Sequence, residues 1–360
     1  MQDNHIYIIA EAGVNHNGSL EMAKRLIKVA ADAGADAVKF QTFKADCLVS
    51  KNAEKAEYQQ RSTDVQESQY HMLKKLELNE EMHDTLVDYC HSCGIEFLST
   101  PFDEFSLQML VEKYDIAYIK IPSGEITNAP FLLKVAQTGK EVILSTGMST
   151  LGEIETALKV LAFGYLHSSE TPSIPSLEQA YISKAGQTLL KQKVKLLHCT
   201  TEYPAPLHEV NLKVLDTLQS AFGLAVGYSD HTQGIAVPIA AVARGAIIIE
   251  KHFTLDQDLP GPDHKASLNP DELKSMVIAI RQIEIALGQS LKLPTESEFK
   301  NKKVARKSLV ALEKITAGEV FTKKNLGIKR PGEGISPLYY WEWLGKVADQ
   351  DYSEDEKILR

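Results

Sequence analysis

Short apolar runs alternate with amphipathic segments along most of this chain, and each pair reads as one strand followed by one helix. Tyr7–Ala10 is the first β-rich run. It is followed by EAGVNHNG and by a predicted helix over Leu20–Ala33 that Gly34 stops. Asp36–Phe40 (DAVKF) is the second run, and a long polar excursion, QTFKADCLVSKNAEKAEYQQ, comes after it. Helical patterns over Glu80–Ser92, Phe105–Lys113, Pro130–Gln137 and Leu151–Ala162 lead in turn into IEFLSTPF, IAYIKIPSGE, EVILSTGM and VKLLHCTTEYP. Val210–Gln219 precedes LAVGYSD, and Ile235–Arg244 precedes AIIIEK. Pro270–Leu287 closes the series, with Leu273, Met276, Ile280 and Ile283 at helical spacing. Eight strand–helix units in succession predict an α/β fold, a (β/α)8 TIM barrel. A doubly wound open sheet is the main alternative, but no GxGxxG turn follows the first strand.

The rhythm breaks twice. FGYLHSSETPSIPSLEQAYISKAGQ, rich in Ser and Pro, is longer than an ordinary helix-to-strand connection and is expected to be a surface insertion on the face opposite the strand-to-helix loops. After Gly288 the character changes altogether. Residues 1–288 are expected to form the barrel, 289–304 a linker or short exposed helix, and 305–360 a small, mostly β module built from SLVAL, EVFT and LGIKR. So short a module has a thin core and leans on something larger.

Composition narrows the function classes. With 44% hydrophobic and 24% charged residues in 360, the chain has ample core for an ordinary globular protein. A net charge of −9 argues against nucleic acid as the main partner. No apolar run reaches the length of a membrane span, and the opening MQDNHIYIIAEAG lacks a charged n-region and cleavage site, so a cytoplasmic location is expected. Four cysteines are too few for a disulfide framework at this size, and Cys90 and Cys93 are expected to be two packed thiols.

On a barrel, side chains at the C-terminal ends of the strands converge on one site. Those positions read Glu11 and Asn15, then Lys39 and Gln41, then Lys120, Ser123 and Glu125, then Ser145 and Thr146. His198, Thr200 and Tyr203 follow, and the last two strands add Ser229, Asp230, His231, Lys251, His252 and Asp263. Lysines among hydroxyls suit a phosphorylated anion, and carboxylates beside them suit polyol hydroxyls or proton transfer. His231 and His252 each end a strand, so they either share a divalent metal or sit as two separately hydrogen-bonded rings.

These blocks, IAEAGVNHNG, VKFQTFKA, STPFD, KIPSGEITN, LSTGM, HCTTEYP, GYSDHTQG, EKHFTL and GPDH, in this order, resemble the sialic acid (nonulosonic acid) synthases over essentially the whole chain. The tail, including KRPGEGISP, resembles that family's antifreeze-like SAF (β-clip) domain. The resemblance implies condensation of phosphoenolpyruvate with an N-acetylmannosamine-type aldose. His231 and His252 match metal ligands, for Mn2+ first and Mg2+ or Co2+ as alternatives. Lys39, Lys120, Ser123, Ser145 and Ser229 match positions that hold phosphoenolpyruvate. Glu11, Gln41, Tyr203 and Asp263 match positions facing the sugar, and Glu125 is the expected acid/base. Arg330 matches an arginine delivered from one subunit of a domain-swapped homodimer into the barrel of the other. Thr201 stands where some members carry Asn, so it receives no role. EAGVNHNG with HCTTEYPAP leans toward the legionaminate type, whose acceptor is 2,4-diacetamido-2,4,6-trideoxymannose, and away from the pseudaminate type.

Two other classes compete with this reading. A DAHP- or KDO8P-type synthase would need a second phosphate site for its phosphorylated acceptor, and no second Lys–Arg cluster falls at the strand ends. A non-enzymatic binding protein built around the tail would have no use for the polar strand ends.

Overall fold

Eight parallel strands make one sheet in the order β3-β2-β1-β8-β7-β6-β5-β4. They are β1 (Tyr7–Gly13), β2 (Ala37–Thr42), β3 (Glu96–Pro101), β4 (Tyr118–Ile121), β5 (Glu141–Ser145), β6 (Val194–Cys199), β7 (Ala225–Asp230) and β8 (Ile248–His252). Because β1 pairs with both β2 and β8, the sheet curls, and β3 comes alongside β4 to give a nearly closed barrel. The computed structural model describes residues 5–55, 60, 67–167 and 169–359. The chain divides into two units, Met1–Gly288 and Gln289–Arg360.

Helices of the first unit are α1 (Leu20–Ala33), α2 (Ala45–Leu48), α3 (Gln69–Leu76), α4 (Glu80–Cys93), α5 (Glu104–Gln108) and α6 (Ala129–Gln137). The others are α7 (Leu151–Leu166), α8 (Ile174–Ile182), α9 (Lys184–Lys193), α10 (Val214–Phe222), α11 (Ala236–Ala243) and α12 (Pro270–Leu287). The stop predicted at Gly34 is observed, and the helix starts carry side-chain caps. Ser19 accepts the Met22 N–H at the head of α1, and Gly34 closes it in the left-handed region at φ 83°. Asn269 and Glu272 form a reciprocal cap at the head of α12, with Pro270 in its first turn. The inward faces of these helices bury Leu26, Ile27, Leu86, Leu132, Leu158 and Ile280 against the outward-pointing residues of the strands.

Three expectations need refining. The pattern over Phe105–Lys113 is α5 followed by a π-helical turn over Met109–Lys113. The Ser- and Pro-rich insertion is two helices, α8 and α9, packed against α7. Pro175 sits in the first turn of α8, where no N–H is needed, and Ser173 caps it. The polar excursion after β2 contains α2, and α3 follows it; Met72 and Leu76 of α3 form a small apolar cluster with Val14 and Phe43. Residues 56–59 of the excursion, and residue 168 of the insertion, lie outside the described residues.

Strand alternation divides the barrel interior into layers. The middle layer is apolar, made by Ile9, Leu98, Ile143, Leu197 and Ile248. Gly227 takes the inward place on β7, where a Cβ would stand 2.6 Å from Leu197 Cδ2. This apolar layer lies below the C-terminal ends of the strands.

The second unit holds α13 (Glu296–Ala305), which begins inside the stretch read as a linker, and an antiparallel pair, β9 (Ser308–Ala311) with β10 (Leu326–Lys329). The EVFT run contributes only the single bridge Val320–Val347. A short helix, α14 (Tyr340–Trp343), follows, and Leu309, Ile315, Phe321, Leu326, Tyr352 and Ile358 form a core of this unit's own. Among the described residues, no helix is long and apolar enough to cross a membrane.

Candidate active site

Two residues beyond each member of the apolar layer, the alternation brings a second layer inward, and this one is polar. Ile9 leads to Glu11, Ala37 to Lys39, Leu98 to Thr100, Tyr118 to Lys120, Ile143 to Ser145, Gly227 to Ser229 and Ile248 to Glu250. These side chains form the base of a cavity of about 300 Å3 at the C-terminal end of the barrel. Leu48, Val49, Leu73 and Phe102, carried on or near the strand-to-helix loops, form its apolar wall.

At the base the charges are paired and buried. Lys39 contacts the Glu11 carboxylate, lies 3.0 Å from Thr100 Oγ1 and is 3.6 Å from Glu250 Oε2. Lys120 Nζ donates to Glu250 Oε1 at 3.0 Å, and Ser229 Oγ donates to the same oxygen at 2.7 Å. Burial alone would raise the Glu250 pKa, but Lys120 and Lys39 outweigh it and hold the carboxyl well below its ordinary range. Glu11 goes the other way. Burial pushes it up to about 7 against the pull of Lys39. The base therefore keeps one carboxylate between two ammonium groups, with a second carboxyl titrating near neutrality. Ser145 Oγ is buried there and has no hydrogen-bond partner among the described residues.

Gly147 closes one side. A Cβ at this position would lie 2.3 Å from Thr201 Oγ1, 2.8 Å from Ser123 Oγ and 2.9 Å from Cys199 Sγ. Its N–H donates to Ser123 Oγ at 3.0 Å. Only glycine lets the loop after β5 approach Ser123 this closely.

Above the base stand His231 and His252, with ring centroids 5.6 Å apart. The Tyr203 ring lies 4.2 Å from the first and 5.6 Å from the second. His231 Nδ1 donates to the Thr200 carbonyl at 2.6 Å, which leaves Nε2 with its lone pair. His252 Nδ1 is buried without a hydrogen-bond partner among the described residues. Burial lowers both pKa values, and for His252 the neighbouring His231 adds to the effect. Two neutral imidazoles with open nitrogens fit a divalent metal. Among the described residues no third His, Cys, Asp or Glu joins them, so the remaining ligands would be oxygens of water or substrate.

Gln41, Leu73 and Tyr203 also border an annex of about 80 Å3, lined further by Val14, Met72, Leu76, Pro262 and Asp263. Burial pushes Asp263 up to about 6. A carboxyl whose folded pKa exceeds its unfolded value holds its proton more tightly when folded, so stability falls as pH rises from about 4 to about 6. Urea melts of Asp263→Asn should lack this decline and gain about 3 kcal/mol on the wild type between pH 4 and pH 8. Parallel pH profiles for the two proteins would contradict the assignment.

Several strand-end residues expected at the site from the sequence point elsewhere. Asp230 and Lys251 face outward as a fully buried ion pair at 2.6 Å, and Lys251 also donates to the Thr232 carbonyl. His198 faces outward to the Val210 carbonyl at 2.6 Å. Thr146 Oγ1 donates to Leu197 O, and Asn15 Nδ2 ties down Phe253 O and Ser267 Oγ. Glu125 lies in the turn before α6, where its carboxylate accepts from Asn128 Nδ2 at 2.6 Å, and it does not line the cavity. Arg330 is exposed just past β10 in the second unit. Cys90 is a buried free thiol and Cys93 a partly buried one. Conversely, Glu250, Thr100 and Cys199 line the cavity although no strand-end argument selected them. Their signal was parity: each sits two residues after an inward apolar residue.

Comparison with known proteins gives a match to the NeuB family over residues 26–292 and to the SAF domain over residues 306–359. The N,N'-diacetyllegionaminic acid synthase of Campylobacter jejuni is 53% identical over 351 residues, covering 98% of each chain. That of Legionella pneumophila is 46% identical over 353 residues, covering 98% of this chain and 93% of its own. Among solved structures, the N-acetylneuraminic acid (sialic acid) synthetase of Leptospira borgpetersenii superposes with a TM-score of 0.66 at 33% identity, over 82% of this chain and 90% of that one.

Proposed function

The chain belongs to the NeuB family and carries a SAF domain, and on that premise we propose that it is a nonulosonic acid synthase. It condenses phosphoenolpyruvate with 2,4-diacetamido-2,4,6-trideoxymannose and water to give N,N'-diacetyllegionaminate and phosphate. N-acetylmannosamine, giving N-acetylneuraminate, is the second acceptor to be tried. The observation that carries the reading is the buried base, where Lys39 and Lys120 flank Glu250 beside a Ser145 hydroxyl that is unpartnered among the described residues, and beneath two neutral histidines.

The lysines and Ser145 supply charge and donors for the phosphate and carboxylate of phosphoenolpyruvate. His231 and His252 would hold a divalent metal, Mn2+ foremost, which when bound supplies Lewis-acid polarisation of the sugar aldehyde. The C3 carbon of phosphoenolpyruvate attacks that aldehyde carbon, and the new alkoxide takes a proton. Water adds at C2 and the C2–O bond to phosphate breaks, so the electron pair leaves with phosphate, which Lys39 and Lys120 keep charge-balanced. Glu11, pushed up to about 7, is the carboxyl placed to move protons at this level of the cavity, and Glu250 balances the two lysines. Glu125 was the expectation from sequence, and its place against Asn128 favours a role in holding the start of α6.

Phosphate release from phosphoenolpyruvate with Mn2+ and each sugar tests the reading. Release with the diacetamido sugar, with solvent 18O entering the C2 oxygen of the product, is the expected result. Release with neither sugar would overturn it.

The same proposal includes a homodimer in which Arg330 of one subunit completes the barrel site of the other. The exposure of Arg330 and the small core of the second unit support it. Mixing inactive Arg330→Ala with an inactive barrel variant and refolding them together should restore turnover. A mixture as inactive as its parts would exclude the exchange.

A further inference from the structure

The annex beyond Gln41 and Tyr203 has a composition that the reaction just described does not use. Val14, Met72, Leu73 and Leu76 give it apolar walls, three of them from α3. Two polar side chains converge on it, the Gln41 amide and the Asp263 carboxyl, and neither makes a side-chain hydrogen bond among the described residues. Asp263 is only 6% exposed. A buried carboxyl is normally satisfied, so Asp263 and the half-buried Gln41 amide, both without such a partner among the described residues and facing an apolar pocket, describe the ligand that would satisfy them. It must donate one hydrogen bond to a carboxylate, accept one from a primary amide, and place a small apolar end among Met72 and Leu76. A secondary amide bearing a methyl does all three. Neither histidine and none of the lysine-bearing base borders the annex, so the group that enters it belongs to a carbon remote from the reacting aldehyde.

We propose that this annex is the subsite for the acetamido group at C4 of the acceptor sugar, with Asp263 accepting its N–H, Gln41 donating to its carbonyl, and Met72 and Leu76 enclosing its methyl. This rests on the synthase reading above and names the residues that choose between its two acceptors. N-acetylmannosamine carries a hydroxyl at C4, which leaves the apolar wall unfilled and the Gln41 amide without its acceptor. At neutral pH Asp263 is ionised, since its pKa is pushed up only to about 6, and it accepts the hydrogen bond. A pocket difference of this kind is worth about 10–200-fold in kcat/KM.

The test measures kcat/KM for both sugars, with phosphoenolpyruvate saturating, in the full-length wild type and two Met72 variants. Met72→Phe fills the annex and should shift the ratio about tenfold toward N-acetylmannosamine, through KM of the diacetamido sugar. Met72→Ala enlarges it and should raise the relative acceptance of the 4-propanamido analogue about tenfold, which a variant that merely destabilises the fold would not do. Ratios unchanged from wild type, or both sugars falling in parallel, would overturn the assignment. Turnover of neither sugar by the wild type would instead overturn the synthase reading, and this inference with it.

Discussion

Glu250→Ala should destabilise the protein by about 3–5 kcal/mol, because it leaves buried ammonium groups without their counter-charge. Lys120 loses its ion-pair partner at 3.0 Å, and Lys39 retains one carboxylate, Glu11, beside the Thr100 hydroxyl. That is a large share of the roughly 5–15 kcal/mol by which domains exceed their unfolded states. The sign with pH follows from the direction of the shift. A carboxyl held below its ordinary range stabilises the fold above its unfolded pKa and loses that contribution as pH falls, so wild type and variant should converge in acid. Inorganic phosphate should partly rescue the variant near neutral pH, since it returns negative charge to the two lysines. Urea melts with and without phosphate check both effects. A variant as stable as wild type would show that Glu250 is not the balancing charge. Turnover in Glu250→Gln, which keeps the shape and removes the charge, should fall at least a hundredfold.

Substitution of either histidine by alanine should lower turnover by about a thousandfold, the order expected when several kcal/mol of carbonyl polarisation is lost. The fold should survive, because both rings border an open cavity and their removal creates no closed void. Mn2+ binding to the free protein, followed by electron paramagnetic resonance, should weaken in both variants. Full Mn2+ affinity in His231→Ala or His252→Ala would sink the assignment whatever the turnover. Retained turnover in metal-free buffer would do so independently.

Most of the barrel is legible in the sequence because each of its elements carries its own period and its own punctuation. Pro270–Leu287 is a helix because Asn269, Pro270 and Glu272 start it and the apolar spacing sustains it. The helices in the loop after β2 were not legible. α3 is held by one small apolar cluster, and its two buried residues, Met72 and Leu76, lie among lysines in a polar stretch. The candidate site was legible as a set of strand ends, but strand ends alone do not say which way a side chain points. Lys251 was counted among the strand ends and Glu250 was not, although alternation from Ile248 turns Glu250 inward and Lys251 out. Glu125 stands outside this rule. It sits past the end of β4, in a turn of its own, where strand parity no longer applies.

The outward pair of Lys251 and Asp230 bears on how inactive variants of this protein are to be interpreted. Asp230 precedes His231 in the chain, Thr232 follows it, and Lys251 precedes His252; the lysine grips both Asp230 and the Thr232 carbonyl. Each histidine is thus held on its backbone by a clasp fastened to the strand of the other. In a screen for lost activity, Lys251 substitutions would score like histidine substitutions. A geneticist mapping them would count a third ligand, where the molecule has a fastening that faces away from the chemistry.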